Sequence, residues 1–212
     1  MVIKSILSLF FELLSSPRKK LFFQGYSWIQ SGSLKVPFEL VIDPLSSLMA
    51  VLVTGLSLLV SIYAGGYLLR EKTTSRFFSY LNLLVFMMLL IVCGGNLVLV
   101  FLGWQGVALC SSLLMSYWYQ SDQSTKASYK NFIASRVGDF SFLLALILIY
   151  KEFQTFSFEE LTSLTKSVTP SSTLGIVTFF LWLGACSKSA QFPLSFWLLD
   201  SSKKSPAPAS AL

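Results

Sequence analysis

Long apolar runs broken by short charged loops dominate the chain. Residues 44–69 form a run of 26 without a formal charge, and 45 uncharged residues separate Arg76 from Asp122. A bilayer core takes about 20 helical residues, so the second run is long enough for two crossings. Gly94-Gly95-Asn96 is the natural turn between them. The pattern predicts span A (44–69), span B (77–93), span C (97–119), span D (131–150) and span E (171–199), the last with Lys188 as its only charge.

The start of the chain obeys other rules. Residues 2–14 are apolar but too short to span. Lys4, Ser5, Ser8, Glu12 and Ser15 fall on one helical stripe, followed by Pro17 and Arg18-Lys19-Lys20. This is the pattern of an amphipathic helix lying in the membrane interface over residues 1–22. A signal peptide is the competing reading, but the stretch lacks a small-residue cleavage site. Over 23–43 the period changes to two. Val36, Phe38, Leu40 and Ile42 alternate with Pro37, Glu39, Val41 and Asp43, and Ser31-Gly32 marks a turn. These signals predict a surface β-hairpin, with Pro37 confined to an edge. The fold class expected is an all-α membrane protein of about five transmembrane helices with this hairpin, over a transmembrane domain spanning 44–212.

Composition and charge sharpen the picture. Of 212 residues, 54% are hydrophobic and 12% charged, half the charge of a soluble domain. There is no histidine, which removes His-based metal sites and Ser–His or Cys–His catalysis. Cys93, Cys110 and Cys186 lie in apolar runs without metal-ligand spacing. The net charge of +6 is spread over loops rather than gathered in a groove, which argues for lipid contact and against nucleic acid. Arg70, Lys72, Arg76, Lys126, Lys130, Lys203 and Lys204 fall on one side of five alternating spans, against Lys35, Lys151 and Lys166 on the other. This bias puts the hairpin outside.

Ionisable groups within spans need a reason, because each costs about 2.5–3.5 kcal/mol on insertion scales. Arg136 and Asp139 share a face of span D at i,i+3. They read either as a snorkelling, mutually neutralised pair near the inner end or as part of a polar pathway. Lys188 precedes Pro193, which cannot donate to the carbonyl of Ser189, so span E is expected to break about one turn past the lysine. Such an arrangement is typical of ion-coupled transporters; an early end to the helix, with Lys188 at the interface, is the other reading. Gln105 sits midway along span C among small residues that suit close helix packing.

Several blocks carry a resemblance. FELVIDPLSSLM, SRFFSYLNLLVFMMLL, NLVLVFLGWQGVALCSSLLMSYWY, NFIASRVGDFSFLL, KSAQFPLSFWLLD and SPAPASAL resemble, in order and spacing, NADH dehydrogenase subunit 5. That is the antiporter-like membrane subunit of respiratory complex I, and it shares its core with the large subunit of multisubunit cation/proton antiporters. The resemblance implies helices three to seven of that subunit, truncated at both ends. It implies that Lys188 matches the lysine of a broken helix and that Arg136 and Asp139 match a polar pair. Gln105 stands where the family has the glutamate paired with that lysine, Ser195 where it usually has a histidine, and Lys203 or Lys204 where it has an acid.

The resemblance further implies a membrane-arm subunit of a proton-translocating NADH:ubiquinone reductase, multi-pass in the mitochondrial inner membrane. The proton-path candidates are Lys188, Asp139, Arg136 and Gln105. The chain itself would hold no cofactor, with FMN, iron–sulfur clusters and ubiquinone in other subunits. Three readings stay open. One is a reduced subunit that does little pumping. Another is part of a split subunit 5, completed by a separate chain carrying its C-terminal half. The third is a subunit of a cation/proton antiporter.

Overall fold

The computed structural model describes residues 8, 20–32, 34–69, 71, 73–166, 172–192, 194–198 and 207–210. Two antiparallel strands come first, β1 (Leu21–Ser31) and β2 (Leu34–Ile42), paired from Leu21 opposite Ile42 to Ser31 opposite Leu34. Gly32 closes the turn at φ +58°, a left-handed conformation that glycine adopts without steric cost. The hairpin is longer than expected: it starts at Leu21, so the 22/23 boundary falls inside β1. Apart from Ser8 and the last few residues, the amphipathic helix expected over 1–22 lies outside the described residues. The register shifts at Ser27, which pairs with Pro37, where the missing N–H interrupts the ladder.

Then come the helices α1 (Pro44–Tyr67), α2 (Thr74–Cys93), α3 (Leu97–Met115), α4 (Asp122–Phe153), α5 (Phe158–Thr165), α6 (Ser172–Lys188) and α7 (Ala207–Ser210), with residues 196–198 also helical. α1 to α4 are long and apolar enough to cross a membrane, and α6 is a shorter apolar helix. The junction of β2 and α1 is set locally. The Asp43 carboxylate accepts from Ser46 N, and Asp43 N donates to Ser46 Oγ, both at 2.7 Å, with Pro44 in the first turn. This is a reciprocal cap that satisfies two otherwise orphan donors.

Three spans depart from expectation. Span C stops at Met115, because Tyr117 is drawn into the start of α2. Its ring meets Phe77 edge-on at 5.4 Å, its hydroxyl accepts from Thr73 Oγ1 at 3.0 Å, and its carbonyl accepts from Arg76 Nη2 at 3.3 Å. Span D is much longer: α4 starts nine residues earlier, at Asp122, since its polar first turns remain helical beyond the apolar stretch. Span E is interrupted, as expected, but sooner: α6 ends directly at Lys188. Ala190 takes a positive φ of 50°, Ser189 N donates to Ala185 O, and Gln191 N donates to Cys186 O, each at 3.0 Å. That is the 6→1 closure of a helix C-terminus. Trp197 Nε1 donates to the freed Ser187 carbonyl at 3.2 Å. The expected break at Pro193 lies outside the described residues. The sequence pattern does not predict α5; eight residues with Glu159 and Glu160 in the first turn are too few for a helical period to show.

Two apolar cores tie the helices together. Ala64, Leu68, Phe77, Leu81, Cys110, Leu114 and Tyr117 join α1, α2 and α3 near one end, where α7 packs back with Pro208 fully buried. Leu97, Phe142, Leu146, Ile149 and Val177 join α3, α4 and α6 towards the other. At that second end the hairpin, the 94–96 turn and residues 156–158 clasp one another. Gly95 N donates to Glu39 O at 2.9 Å and Leu97 N to Phe156 O at 3.0 Å. Asn96, only 2% exposed, caps α3 through Leu99 N and donates Nδ2 to Pro37 O, each at 2.8 Å. The hairpin therefore lies at the same end as the loops that alternation of the spans requires.

Candidate functional site

All four polar candidates sit where α3, α4 and α6 meet. Arg136 is the fifteenth and Asp139 the eighteenth of the 32 residues of α4, whose first ten residues are mostly polar. Arg136 Nη1 donates to Gln105 Oε1 at 2.5 Å and lies 3.4 Å from Asp139 Oδ2. Its guanidinium also stacks over the Phe132 ring at 4.6 Å. Asp139 is 3% exposed. Lys188, the last residue of α6, points back at α3, with Nζ 5.6 Å from the Trp104 ring centroid. Across the α4–α6 interface it interacts electrostatically with Asp139 and with Arg136. Gln105 thus bonds to Arg136, while Asp139 and Lys188 interact at longer range, without an ion pair.

The helix crossing that brings Asp139 to Lys188 depends on glycine. A side chain at Gly138 would collide with Ser187 Oγ and Cβ, and a Cβ at Gly184 would lie 3.3 Å from the Gly138 carbonyl. Ser187 is buried and donates to Gly184 O at 2.7 Å. Close approach of small residues is how helices associate within a membrane, where burial from water gives no driving force. On the other side, α3 is held against α2 by Gly103, whose added Cβ would meet Met87 O at 2.8 Å. Phe101 and Trp104 both pack edge-on against Phe142, at 5.4 and 5.5 Å, fixing the Trp104 ring beneath the lysine.

Trp104 Nε1, Arg136 Nε and both Asp139 carboxylate oxygens are buried and make no close hydrogen bond among the described residues, although Asp139 keeps its ion pair with Arg136 and lies against Trp104. Each such group costs about 1–3 kcal/mol.

Neither Trp104 nor Gly138 is among the residues that the sequence singles out. A signal for Gly138 is present, since Ala134, Gly138, Ser141 and Ala145 recur at helical spacing and are all buried. Nothing in the order of residues tells which side of α3 the Trp104 ring takes. Ser195 is exposed beyond the end of α6, and Lys203 and Lys204 lie outside the described residues.

A second polar cluster sits at the hairpin end. A cavity of about 480 Å³ between the hairpin, α1 and α5 is lined by Lys20, Glu39, Asp43, Glu159 and Lys166 among others. Burial, then the carboxylates of Glu159 and Glu160, push the Glu39 carboxyl above the usual carboxylate range.

Comparison with known proteins agrees with this architecture. Residues 28–78 match a family profile described as the N-terminus of chain 5 of NADH-ubiquinone oxidoreductase (complex I), and residues 94–212 one described as NADH:quinone oxidoreductase/Mrp antiporter, TM. NADH-quinone oxidoreductase subunit L of Rickettsia felis is 40% identical over 193 residues, 87% of this chain and 30% of that protein. The Escherichia coli subunit L is 39% identical over 189 residues, 88% of this chain and 31% of that protein. The chain thus spans about 30% of the length of these relatives. A chain of the Mrp complex from a Dietzia species shares the fold, with a TM-score of 0.80 at 21% identity, covering 99% of this chain and 22% of that one. With the second profile covering more than half of its residues, the chain belongs to the NADH:quinone oxidoreductase/Mrp antiporter membrane family.

Proposed function

We propose that the chain is a membrane-arm subunit of complex I, of the subunit 5 type, and that Lys188 and Asp139 form the working pair of a proton half-channel. The observation that carries this reading is the convergence of Lys188, Asp139, Arg136 and Gln105 on one buried junction. Here a charged partner for the lysine survives although position 105 is a glutamine. The proton affinity of a buried lysine depends on its distance to the nearest anion. Sliding of α6 against α4 at the Gly138–Ser187 contact alters that distance directly. Redox chemistry, with FMN, iron–sulfur clusters and ubiquinone, is assigned on this reading to other subunits. The compartment proposed is the mitochondrial inner membrane, on the Phe-rich composition of the chain, with 19 phenylalanines. The Rickettsia and Escherichia relatives are bacterial, and membrane fractionation distinguishes the two.

The test uses the intact complex in sealed vesicles. Lys188→Met and Asp139→Asn each lower the number of protons moved per NADH oxidised, with assembly and electron transfer retained, and the double variant loses no more than either single one. An unchanged ratio in both variants overturns the pair and leaves a subunit with a structural role. The family also includes Mrp antiporters, which supports a cation/proton antiporter subunit as the second reading. A sodium-dependent pH gradient that forms without NADH would favour it.

A further inference from the structure

The cavity at the hairpin end lies at the level where α1 enters the membrane, since the first turns of that helix help to line it. Lys20 and Lys166 line it together with Glu39, Asp43 and Glu159, so three carboxylates meet two ammonium groups. Asp43 is committed to Ser46 N in the cap of α1, and Glu160, the neighbour of Glu159, accepts from Thr155 Oγ1. The side chains of Lys20, Lys166, Glu39 and Glu159 make no ion pair among the described residues. The like charges of Glu159 and Glu160 help to hold the Glu39 carboxyl above its usual range, a strain that a cation beside it would relieve.

The same cavity opens on to an apolar track. Leu45 and Met49 line it and begin a stripe on α1 that continues through Leu52, Leu56 and Leu59, spaced 4-3-4-3. All five side chains are 40–68% exposed. At 1.5 Å per residue the stripe runs about 21 Å along the helix, more than the roughly 15 Å of one leaflet of the hydrocarbon core. Both signs of charge at the membrane surface, joined to an apolar stripe that descends from them, complement the two halves of a zwitterionic amphiphile.

We propose that the cavity binds the headgroup of an aminophospholipid of the phosphatidylethanolamine type, with one acyl chain laid along the α1 stripe. The primary ammonium donates to Glu39 and Glu159, and the phosphate accepts from Lys20 and Lys166, all charge-assisted bonds. A choline headgroup has no N–H to donate. An anionic headgroup without the amine would face an excess of carboxylates. A helix seated on the stripe would leave both lysines and both glutamates unanswered unless it ended in the same pair of opposite charges. The inference needs only that α1 crosses the bilayer with the cavity at headgroup level, and it stands whether or not Lys188 and Asp139 move protons.

The experiment reconstitutes the intact complex in phosphatidylcholine vesicles that carry a trace of a phospholipid with a diazirine near the ester end of one acyl chain. Three probes differ only in their headgroup: ethanolamine, choline or glycerol. After irradiation the ethanolamine probe is expected to label the peptide holding Leu45, Met49 and Leu52 about tenfold more than either of the others, the factor for one charge-assisted hydrogen bond. Other lipid-facing spans take up the three probes alike. Glu39→Gln combined with Glu159→Gln abolishes the preference, and Glu39→Lys combined with Glu159→Lys transfers it to the glycerol probe. The headgroup series uses the unchanged protein, so it decides the matter even where a variant does not accumulate. Glycerophosphoethanolamine, the same headgroup without acyl chains, leaves the labelling unchanged at millimolar concentration; displacement of the probe by it overturns the lipid in favour of a soluble phosphorylated amine. Equal labelling of this peptide by all three probes overturns the site, and so does a peptide that no probe reaches because protein covers it. None of these results bears on the proton stoichiometry of Lys188→Met or Asp139→Asn, so the two readings fail separately.

Discussion

Replacing Gly138 by Ala tests whether the α4–α6 crossing positions the site. The new methyl group would occupy space held by Ser187 Oγ and Cβ. Ser187 cannot swing aside freely, because it is buried and its hydroxyl donates to Gly184 O at 2.7 Å. Overpacking of this kind costs about 1–3 kcal/mol, and losing the hydroxyl bond adds about 1 kcal/mol. A loss of about 2–4 kcal/mol lowers the ratio of assembled to free chain by roughly 30- to 700-fold, at 1.4 kcal/mol per tenfold. Ser187→Gly alone loses the hydroxyl bond and gains a flexible residue near a helix end, for about 1–2 kcal/mol. Combined, the two changes should not add, since the atoms that collide with the new methyl are gone. The double variant is expected to be about 2 kcal/mol more stable than the sum of the single losses, within the range seen for residues in contact. Native gels of detergent-solubilised membranes, quantifying chain within and outside the complex across a heat series, give all four corners of the cycle. Additive losses would show that Gly138 and Ser187 do not share the space the structure gives them.

Three further outcomes are expected from the same geometry. Asn96→Leu removes the cap of α3 and leaves the Pro37 carbonyl without its donor, for a loss of about 2–4 kcal/mol; protease cleavage of the hairpin should accelerate, and an unchanged rate would refute the clasp. Glu39 is an acid whose folded pKa lies above its unfolded one, so folding takes up protons and stability falls as pH rises from the unfolded towards the folded value; Glu39→Gln should raise the melting temperature at pH 7, the gain shrinking as pH drops through the ordinary carboxylate range. Gln105→Glu replaces a neutral acceptor of Arg136 by a charged one, and such bonds are about twice as strong; its effect on complex stability should vanish in an Arg136→Gln background, and an effect that persists there would show that the new carboxylate pairs with Lys188.

Sequence alone determined what local physics controls. Runs of uncharged residues place α1, α2 and α3 because a helix in lipid must satisfy its own backbone and present apolar side chains. Gly94-Gly95-Asn96 gives the turn, Asp43-Pro44 the start of α1, and alternation around Glu39 the second strand, each through residues adjacent in the chain. Arg136, Asp139 and Lys188 stood out because charge within a span is costly. Tertiary structure alone decided which groups meet. Gln105 and Lys188 share no sequence pattern that reveals their neighbours: Gln105 accepts from Arg136 and Lys188 lies over the Trp104 ring. The end of α6 depends on Ala190 entering the left-handed region and on Trp197 reaching back to the Ser187 carbonyl. The truncation of span C depends on Tyr117 reaching Thr73 and Arg76. These contacts join residues ten to 44 positions apart in the chain, a distance over which periodicity carries no information and only the packing of one helix on another fixes which face looks inward.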